Sequence, residues 1–313
     1  MKKLLAILIA LLLCLGCTAM AEGSYRVGVC QLVQHVALDA ATQGFQDALK
    51  AKLGDAVTFD VKNASGDSNT CSTIANTFIS NGVDLIMANA TPALQAAVAA
   101  TGDIPILGTS VTDYATALGI DDWTGATGIN VSGTSDLAPL DEQAAMLNEL
   151  FPDAKTVGLL YCSAEPNSKY QVDVITGYLT ELGYECEEYT FADSNDVASV
   201  TQSACDDVDV LYIPTDNTAA SCTEAIRNVV EPAMKPVIAG EEGICAGCGV
   251  ATLSISYYDL GYATGEMACE VLANGADVAT MDVRFAPNVT KEYNAEMCEL
   301  LGIQIPDGYT AIQ

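Results

Sequence analysis

The stretch Val83-Asp84-Leu85-Ile86-Met87-Ala88-Asn89 is almost continuously apolar, and the segment 91–100 that follows it carries Pro92 in its first turn. A continuous apolar run of this length is typical of a strand in a parallel sheet that is covered on both faces. Proline is tolerated in the first turn of a helix because its missing N–H would have no partner there. The stretch 83–100 therefore predicts a buried parallel strand followed by a helix.

The same alternation of strand and helix extends in both directions from this stretch. Upstream and just downstream, predicted strands lie at 25–31, 57–62 and 104–108, with helices at 37–51 and 72–80. A segment rich in Gly, Thr and Ser follows at 124–135, and then the pattern begins again. The second series comprises strands at 156–162, 186–191, 208–214, 237–240, 252–256 and 282–286, and helices at 141–150, 168–182, 197–203, 218–230 and 260–273.

This order predicts an α/β fold in which two doubly wound parallel-sheet lobes are joined by a hinge. We assign residues 24–133 and 254–279 to the first lobe, and residues 134–253 and 280–313 to the second. Ligands of open α/β sheets bind outside the carboxyl ends of the strands. Two such sheets facing each other would form a cleft that closes by a hinge motion.

The N-terminus has the organisation of an export signal. Lys2 and Lys3 precede an apolar run from Leu4 to Leu15, which is too short to span a bilayer. Ala19-Met20-Ala21 matches the small-x-small pattern of a signal peptidase site, so we expect residues 1–21 to be removed. The alternative is acylation of Cys17 after Gly16, which would leave a lipid-anchored protein. Either way the sequence predicts an exported, extracytoplasmic protein.

The charge of the chain limits its partners. Twelve Lys and Arg residues stand against 41 Asp and Glu residues, a formal net charge of −29. Such a charge disfavours nucleic acids and anionic membranes, both of which are bound through basic residues. The three arginines, Arg26, Arg227 and Arg284, all lie outside the predicted strand-end loops. Without a guanidinium clamp, a strongly anionic ligand is disfavoured, and a neutral or zwitterionic one is favoured.

Removal of residues 1–21 would leave ten of the twelve cysteines. An even number in an exported protein permits disulfides, whereas Cys30 and Cys269 occupy positions that suit a buried apolar residue. We therefore expect some pairs and some buried thiols. Cys245 and Cys248 form a CxxC in a Gly-rich segment, for which a local disulfide is favoured over buried thiols, metal binding and redox activity. No metal site and no cofactor are predicted.

Polar side chains follow most of the predicted strands. Hydroxyl, amide and carboxylate groups at these positions are ordinary helix N-caps, but on six loops facing one cleft they also indicate a ligand site. The predicted ligand-binding residues are Gln34, His35, Thr91, Ser110, Thr112, Asp113, Ser135, Asp136, Asn167, Ser168, Thr215, Asp216, Asn217, Glu241 and Tyr257.

An amino acid fits this set of groups. Its carboxylate would be bound by Thr91, Ser110 or Ser168. Its ammonium group would be bound by Asp216 or Glu241. A neutral nucleoside or sugar is the alternative ligand, although a single tryptophan offers little for sugar stacking.

Several motifs resemble those of the ABC-transporter substrate-binding proteins of the tryptophan/tyrosine type. They run in order through nearly the whole chain and together are specific. They are VGVCQLVQH at 27–35, ALDAATQGF at 37–45, NASGD at 63–67, ATPA at 90–93, SGTSD at 132–136, PTDNT at 214–218 and SYYDLG at 256–261.

The resemblance implies a type I periplasmic-binding-protein fold without catalysis, which delivers a small solute to a membrane permease. We expect a monomer that closes on an amino acid, with hinge segments near 134–136 and 254–257. A ligand-binding ectodomain that serves a sensor is the alternative. Enzyme activity is not expected, because the single histidine, His35, lacks an accompanying nucleophile motif. A transcription regulator is excluded by the export signal, the charge and the lack of a basic helix-turn-helix.

Overall fold

The computed structural model describes residues 24–286 and 288–312. The predicted signal segment and Cys17 lie outside the described residues. The strands are β1 (Tyr25–Gln31), β2 (Val57–Asn63), β3 (Leu85–Asn89), β4 (Ile106–Val111), β5 (Val131–Ser135), β6 (Thr156–Cys162), β7 (Glu185–Phe191), β8 (Val210–Ile213), β9 (Val237–Ala239), β10 (Ala251–Ser254), β11 (Arg284–Phe285), β12 (Thr290–Tyr293) and β13 (Thr310–Ala311).

Helices connect most of these strands. They are α1 (Val36–Leu53), α2 (Ser68–Asn81), α3 (Thr91–Ala100), α4 (Tyr114–Leu118), α5 (Leu140–Leu150), α6 (Pro166–Glu181), α7 (Val197–Asp207), α8 (Asn217–Ser221), α9 (Thr223–Val230), α10 (Glu242–Cys248), α11 (Tyr257–Asn274) and α12 (Ala295–Leu301), with 3₁₀ turns at Gly54–Ala56 and Val278–Thr280. Among the described residues, no helix is long and apolar enough to cross a membrane.

The strands form two open sheets, as the sequence predicts. The first has the order β11-β5-β4-β3-β1-β2 and is parallel throughout. The second has the order β13-β12-β10-β9-β8-β6-β7 and is parallel except for the β10–β12 pair. Strands β3, β4, β5 and β8 are buried at every position, which explains their continuous apolar or small-residue sequences. The prediction of two parallel-sheet lobes is confirmed.

The sheets differ from the predicted lobe boundaries at two crossings. The first sheet continues through β5 to Ser135, beyond the predicted end at 133. Strand β11 pairs with β5, Arg284 opposite Thr134, so the prediction that places 280–313 wholly in the second lobe is wrong for this strand. The Gly- and Thr-rich sequence of β5 does not read as a strand, because close packing requires small residues there. A Cβ on Gly133 would lie 2.0 Å from the carbonyl oxygen of Gly108.

Other local predictions also need correction. The predicted helix 218–230 is two helices, α8 and α9, separated at Cys222. The CxxC lies on helix α10 rather than in a loop. All ten cysteines of the described residues are free thiols, so the expected local disulfide between Cys245 and Cys248 is not formed. Both thiols are buried, and the Cys248 Sγ donates to the carbonyl of Ile244 at 3.4 Å, as a buried structural cysteine does.

Helices α1 and α11 pack together through small residues on one face of the first sheet. Glycines bring the two backbones into contact: a Cβ on Gly261 would lie 1.9 Å from the carbonyl oxygen of Ala41, and one on Gly44 would lie 2.1 Å from that of Tyr258. Helix α11 follows directly on the crossing from the second sheet, so this packing anchors the returning chain to the first lobe.

We expect Gly261→Ala to lower the free energy of unfolding by about 2 kcal/mol or more, because the new methyl group must separate α1 from α11. Gly177→Ala is the matched control. Gly177 also lies inside a helix, but a Cβ there meets nothing within 4 Å, so this change should raise the stability by up to about 1 kcal/mol. Urea unfolding at neutral pH measures both effects. Equal effects of the two substitutions would contradict the close packing.

Candidate functional site

The carboxyl ends of β3, β4 and β5 bring the candidate residues of the first lobe to one edge of the sheet. Asn89 lies opposite Thr109, and Val111 lies opposite Ser135, so the segments that follow these strands are neighbours. Two residues in these segments have left-handed backbone conformations, Ala90 with φ 90° and Ser110 with φ 54°. Non-glycine residues with positive φ are costly and cluster at functional sites. The unusual backbone at these strand ends therefore indicates a functional site.

Four predicted site residues carry buried polar atoms that have no hydrogen-bond partner among the described residues. They are Thr91 Oγ1, Ser110 Oγ, Asp136 Oδ1 and Asn167 Oδ1. Asn89 Oδ1 and Thr252 Oγ1 share this property without having been predicted as site residues. A buried polar atom without a partner costs about 1–3 kcal/mol, and such atoms are rare in native proteins. Four on strand-end segments of both lobes indicate a polar ligand.

Asp136 is the candidate carboxylate with an oxygen free for a ligand. It follows β5 at the crossing between the lobes, is 3% exposed, and accepts a hydrogen bond from the Tyr257 hydroxyl on Oδ2 at 3.0 Å. Burial raises the pKa of Asp136 to about 6, although the nearby hydroxyls of Thr112 and Tyr257 oppose the shift. Tyr257 begins helix α11, so one hydrogen bond joins the outgoing and the returning chain crossings.

Asp216 and Glu241, the predicted ammonium ligands, are already engaged by their own chain. Asp216 accepts hydrogen bonds from Cys162 N and the Ser168 hydroxyl, both at 2.7 Å, and from Ala219 N at 2.8 Å. Glu241 accepts from Gly243 N at 2.8 Å and Ile244 N at 2.5 Å and thereby caps α10. Burial raises the pKa of each to about 7, helped at Asp216 by the charge of Glu165. Both carboxylates have clear structural roles.

Other predicted site residues form hydrogen bonds within the loops around the site. The Ser135 hydroxyl donates to the Thr112 carbonyl at 2.7 Å. Asp113 caps helix α4 by accepting from Thr116 N at 2.7 Å. Gln34 is exposed, and its amide approaches Asp39 at 3.5 Å, so the structure does not bring it into the group of buried site residues.

Contacts between the lobes close the cleft over these groups. His35 Nε2 lies 3.3 Å from Asn217 Oδ1 on the opposite lobe. Within the second lobe, Thr215 follows β8. Its hydroxyl donates to the Gly240 carbonyl at 3.3 Å, and its carbonyl accepts from the Asn167 amide at 3.2 Å. A cavity of about 280 Å³ remains between the lobes, and its lining includes Leu32, Pro92 and Glu165.

Glu165 is the principal residue that the site prediction missed. It is buried and accepts five hydrogen bonds, from Asn217 N, Asn217 Nδ2, Thr218 N, Thr218 Oγ1 and Asn167 Nδ2, at 2.6–3.2 Å. It thereby ties the loop after β6 to the loop after β8. The acidic residue before Pro166 was the available signal, but its partners Asn217 and Thr218 lie 52 and 53 positions away along the chain.

The chain is similar to proteins of one family over almost its whole length. The family model described as ABC transporter substrate binding protein matches residues 26–311. A tyrosine-binding protein of Clostridioides difficile is 38% identical over 282 residues, which cover 89% of this chain and 81% of that protein.

Two solved structures of related proteins bear on the conformation. A complex with L-Trp from Streptococcus pneumoniae is 33% identical, with a TM-score of 0.87 over 92% of this chain and 100% of that one. A ligand-free, open structure of a substrate-binding protein with adhesive properties from Clostridium difficile is 38% identical, with a TM-score of 0.69 over 92% and 99%. The overall shape therefore matches the complex better than the open form, although the sequence identity with the open form is higher.

We expect Asp136→Asn to raise the free energy of unfolding of the ligand-free protein by up to about 3 kcal/mol at pH 7. The folded-state pKa of about 6 lies above the ordinary value of 3.8, so the folded state binds this proton more tightly. Ionisation of Asp136 therefore destabilises the folded state, so the free energy of unfolding decreases as pH rises from about 4 to 6. Urea unfolding between pH 4 and 7.5 measures this dependence. Asp216 and Glu241, whose pKa values are also raised, contribute in both proteins, so the variant should lose only the part due to Asp136 and show a weaker pH dependence than wild type.

Asp103→Asn is the control for this prediction, because Asp103 is exposed. Its substitution should leave the pH dependence of unfolding unchanged. A lower stability of Asp136→Asn than of wild type at pH 7 would show that the hydrogen bonds to the ionised carboxylate outweigh its burial.

Proposed function

We propose that this chain, which belongs to the family of ABC transporter substrate binding proteins, captures a zwitterionic amino acid with an aromatic side chain between its two lobes. The family resemblance inferred from the sequence motifs is confirmed by the matched range and by the relatives. The chain is accordingly a solute-binding protein. The identity of the solute and the residues that hold it are the proposal.

The four buried polar atoms without partners carry the proposal. The hydroxyls of Thr91 and Ser110 can donate to a carboxylate, and Thr91 begins helix α3, whose free N–H groups and dipole favour an anion. Asp136 Oδ1 can accept from an ammonium group, and Asn167 Oδ1 offers a further acceptor from the second lobe. Two hydroxyl donors and two oxygen acceptors match the two charged groups of an amino acid. Asp136 thus takes the role that the sequence assigned to Asp216 or Glu241.

The aromatic side chain is supported by the relatives. The relative that is 38% identical is named a tyrosine-binding protein, and a relative that is 33% identical was solved in complex with L-Trp. A neutral nucleoside or sugar would leave the Asp136 carboxylate without a cation.

Delivery to a membrane permease follows from the family, and an exported, monomeric protein without enzyme activity is part of the same proposal. Nucleic acid is not among the proposed partners, because the net charge of −29 opposes it. The similarity to the tryptophan complex, together with the His35–Asn217 contact between lobes, supports a closed conformation. This closed form is the one proposed to dock on the permease.

L-Tyrosine and L-tryptophan should bind in isothermal titration calorimetry, whereas analogues that lack either the carboxylate or the ammonium group should bind at least tenfold more weakly. Thr91→Val should weaken binding about tenfold, and Asp136→Asn about a hundredfold, because a charged hydrogen bond is worth more than a neutral one. Thr58→Val is the matched control, since Thr58 is an exposed residue at the amino end of β2. Normal binding by both site variants would exclude this site. Tight binding of uridine or glucose would exclude this ligand class.

Closure gives a second test. Saturating L-tyrosine should reduce the radius of gyration of the wild-type protein in small-angle X-ray scattering, because it holds the two lobes together. The Asp136→Asn variant at the same ligand concentration should not contract. An unchanged radius of wild type under conditions in which calorimetry shows saturation would contradict closure as the response to the ligand.

A further inference from the structure

The backbone is strained at the ends of two adjacent strands beside the proposed amino-acid site. Ala90, directly after β3, has φ 90° and ψ 155°, a conformation that is populated almost only by glycine. Ser110, near the end of β4, has φ 54°. The two strained segments are neighbours, because Ala90 N donates to the Thr109 carbonyl at 3.0 Å. Strain of this kind persists only where the surrounding structure imposes it.

Contacts on both sides of Ala90 impose its conformation. Before it, the Asn89 amide donates to the Leu38 carbonyl at 2.8 Å and to Thr42 Oγ1 at 3.0 Å, which anchors the end of β3 to helix α1. After it, the Ala90 carbonyl accepts the first helical hydrogen bond of α3, from Leu94 N at 3.0 Å. The methyl group of Ala90 is fully buried in the core of the first lobe. The residue is therefore held by both of its neighbours and by its own side chain.

The segment that follows Ala90 carries several open hydrogen-bond donors. Helix α3 has no side-chain cap, and Pro92 has no N–H, so the N–H groups of Thr91 and Ala93 precede the first helical hydrogen bond. The hydroxyls of Thr91 and Ser110 have no partner among the described residues, although these side chains are only 2% and 5% exposed. Two hydroxyls and two N–H groups are what a ligand carboxylate can accept from.

We propose that Ala90 is a positioning residue whose strained backbone holds the donors of Thr91, Ala93 and Ser110 as a preformed seat for the carboxylate of the ligand. Ala90 acts through Thr91 and does not contact the ligand itself. A preformed seat avoids the loss of backbone freedom that a mobile loop would undergo on binding. This role rests on the proposed function, because it assigns the carboxylate of that amino acid to the first lobe.

Ala90→Gly tests this role. Glycine adopts the same conformation without strain, but it also allows others, so the ligand would have to order the donors itself. Relief of strain should offset the lost methyl group, and the variant should fold. In isothermal titration calorimetry, we expect Ala90→Gly to bind L-tyrosine about three- to tenfold more weakly than wild type does.

Tyramine separates positioning from a general structural effect. It keeps the ring and the ammonium group of tyrosine but lacks the carboxylate, so Ala90→Gly and wild type should bind it equally weakly. A similar loss of affinity for tyramine and for L-tyrosine would overturn the proposal, because the substitution would then have disturbed the whole site. Unchanged affinity for L-tyrosine would overturn it as well.

Met234→Gly is the matched control. Met234 also has a positive φ, 53°, but it is 54% exposed and lies in the turn after α9, away from the strand ends of the first lobe. Its substitution relieves strain at a distance from the site and should leave the affinity for L-tyrosine unchanged. A loss of affinity equal to that of Ala90→Gly would show that the effect is not specific to the carboxylate seat.

Hydrogen exchange measures the positioning in the ligand-free protein. A peptide that covers residues 91–97 should take up deuterium several-fold faster in Ala90→Gly than in wild type, because the first turn of α3 is no longer held. Peptides from helix α6 in the second lobe should exchange equally in both proteins. Equal exchange of residues 91–97 would overturn the proposal.

The two measurements separate this role from the proposed function. If wild type binds neither L-tyrosine nor L-tryptophan, the proposed function fails, and hydrogen exchange still decides whether Ala90 holds the start of α3. If wild type binds L-tyrosine and Ala90→Gly binds it equally well, the proposed function stands and the positioning role of Ala90 is wrong.

Discussion

The arrangement of the candidate site depends on one buried carboxylate at the point where the chain leaves the first sheet. Asp136 comes directly after β5, has almost no exposure, and is held on one oxygen by the Tyr257 hydroxyl. Because Tyr257 begins the helix that returns to the first lobe, this hydrogen bond ties two chain crossings together. The second oxygen has no partner among the described residues, so the crossing between the sheets holds a carboxylate oxygen that is free for the proposed ammonium group.

The other buried carboxylates show why this one differs. Asp216 and Glu165 accept hydrogen bonds from donors of neighbouring loops and hold those loops in place. Glu241 caps its own helix α10. They are structural even though they surround the same cleft. Burial of the Asp136 carboxylate lowers the stability of the fold. Proteins retain such a destabilising group where function requires it. Rigid loops around one unsatisfied acid are what a selective binding site for a charged ligand needs.

Two kinds of contact fix the positions of the lobes, and they differ in strength. Packed small residues between α1 and α11 fix the returning helix to the first sheet and leave little freedom of movement. The contact between His35 and Asn217 is a single hydrogen bond at 3.3 Å, which can be broken and remade without disturbing either core. Closure and opening can therefore occur as rigid-body motion of two well-packed lobes about the crossings near Asp136 and Tyr257.

The sequence by itself determined the two parallel sheets and the polar strand ends, because periodicity and N-cap chemistry are local properties. It did not determine β5, whose glycine is required by a backbone that approaches from 25 positions away. Nor did it distinguish Asp136 from Asp216 and Glu241, since all three are acidic residues next to strands. Only the tertiary structure decided which carboxylate keeps a free oxygen, because hydrogen-bond satisfaction depends on donors such as Cys162 N that folding brings from distant parts of the chain.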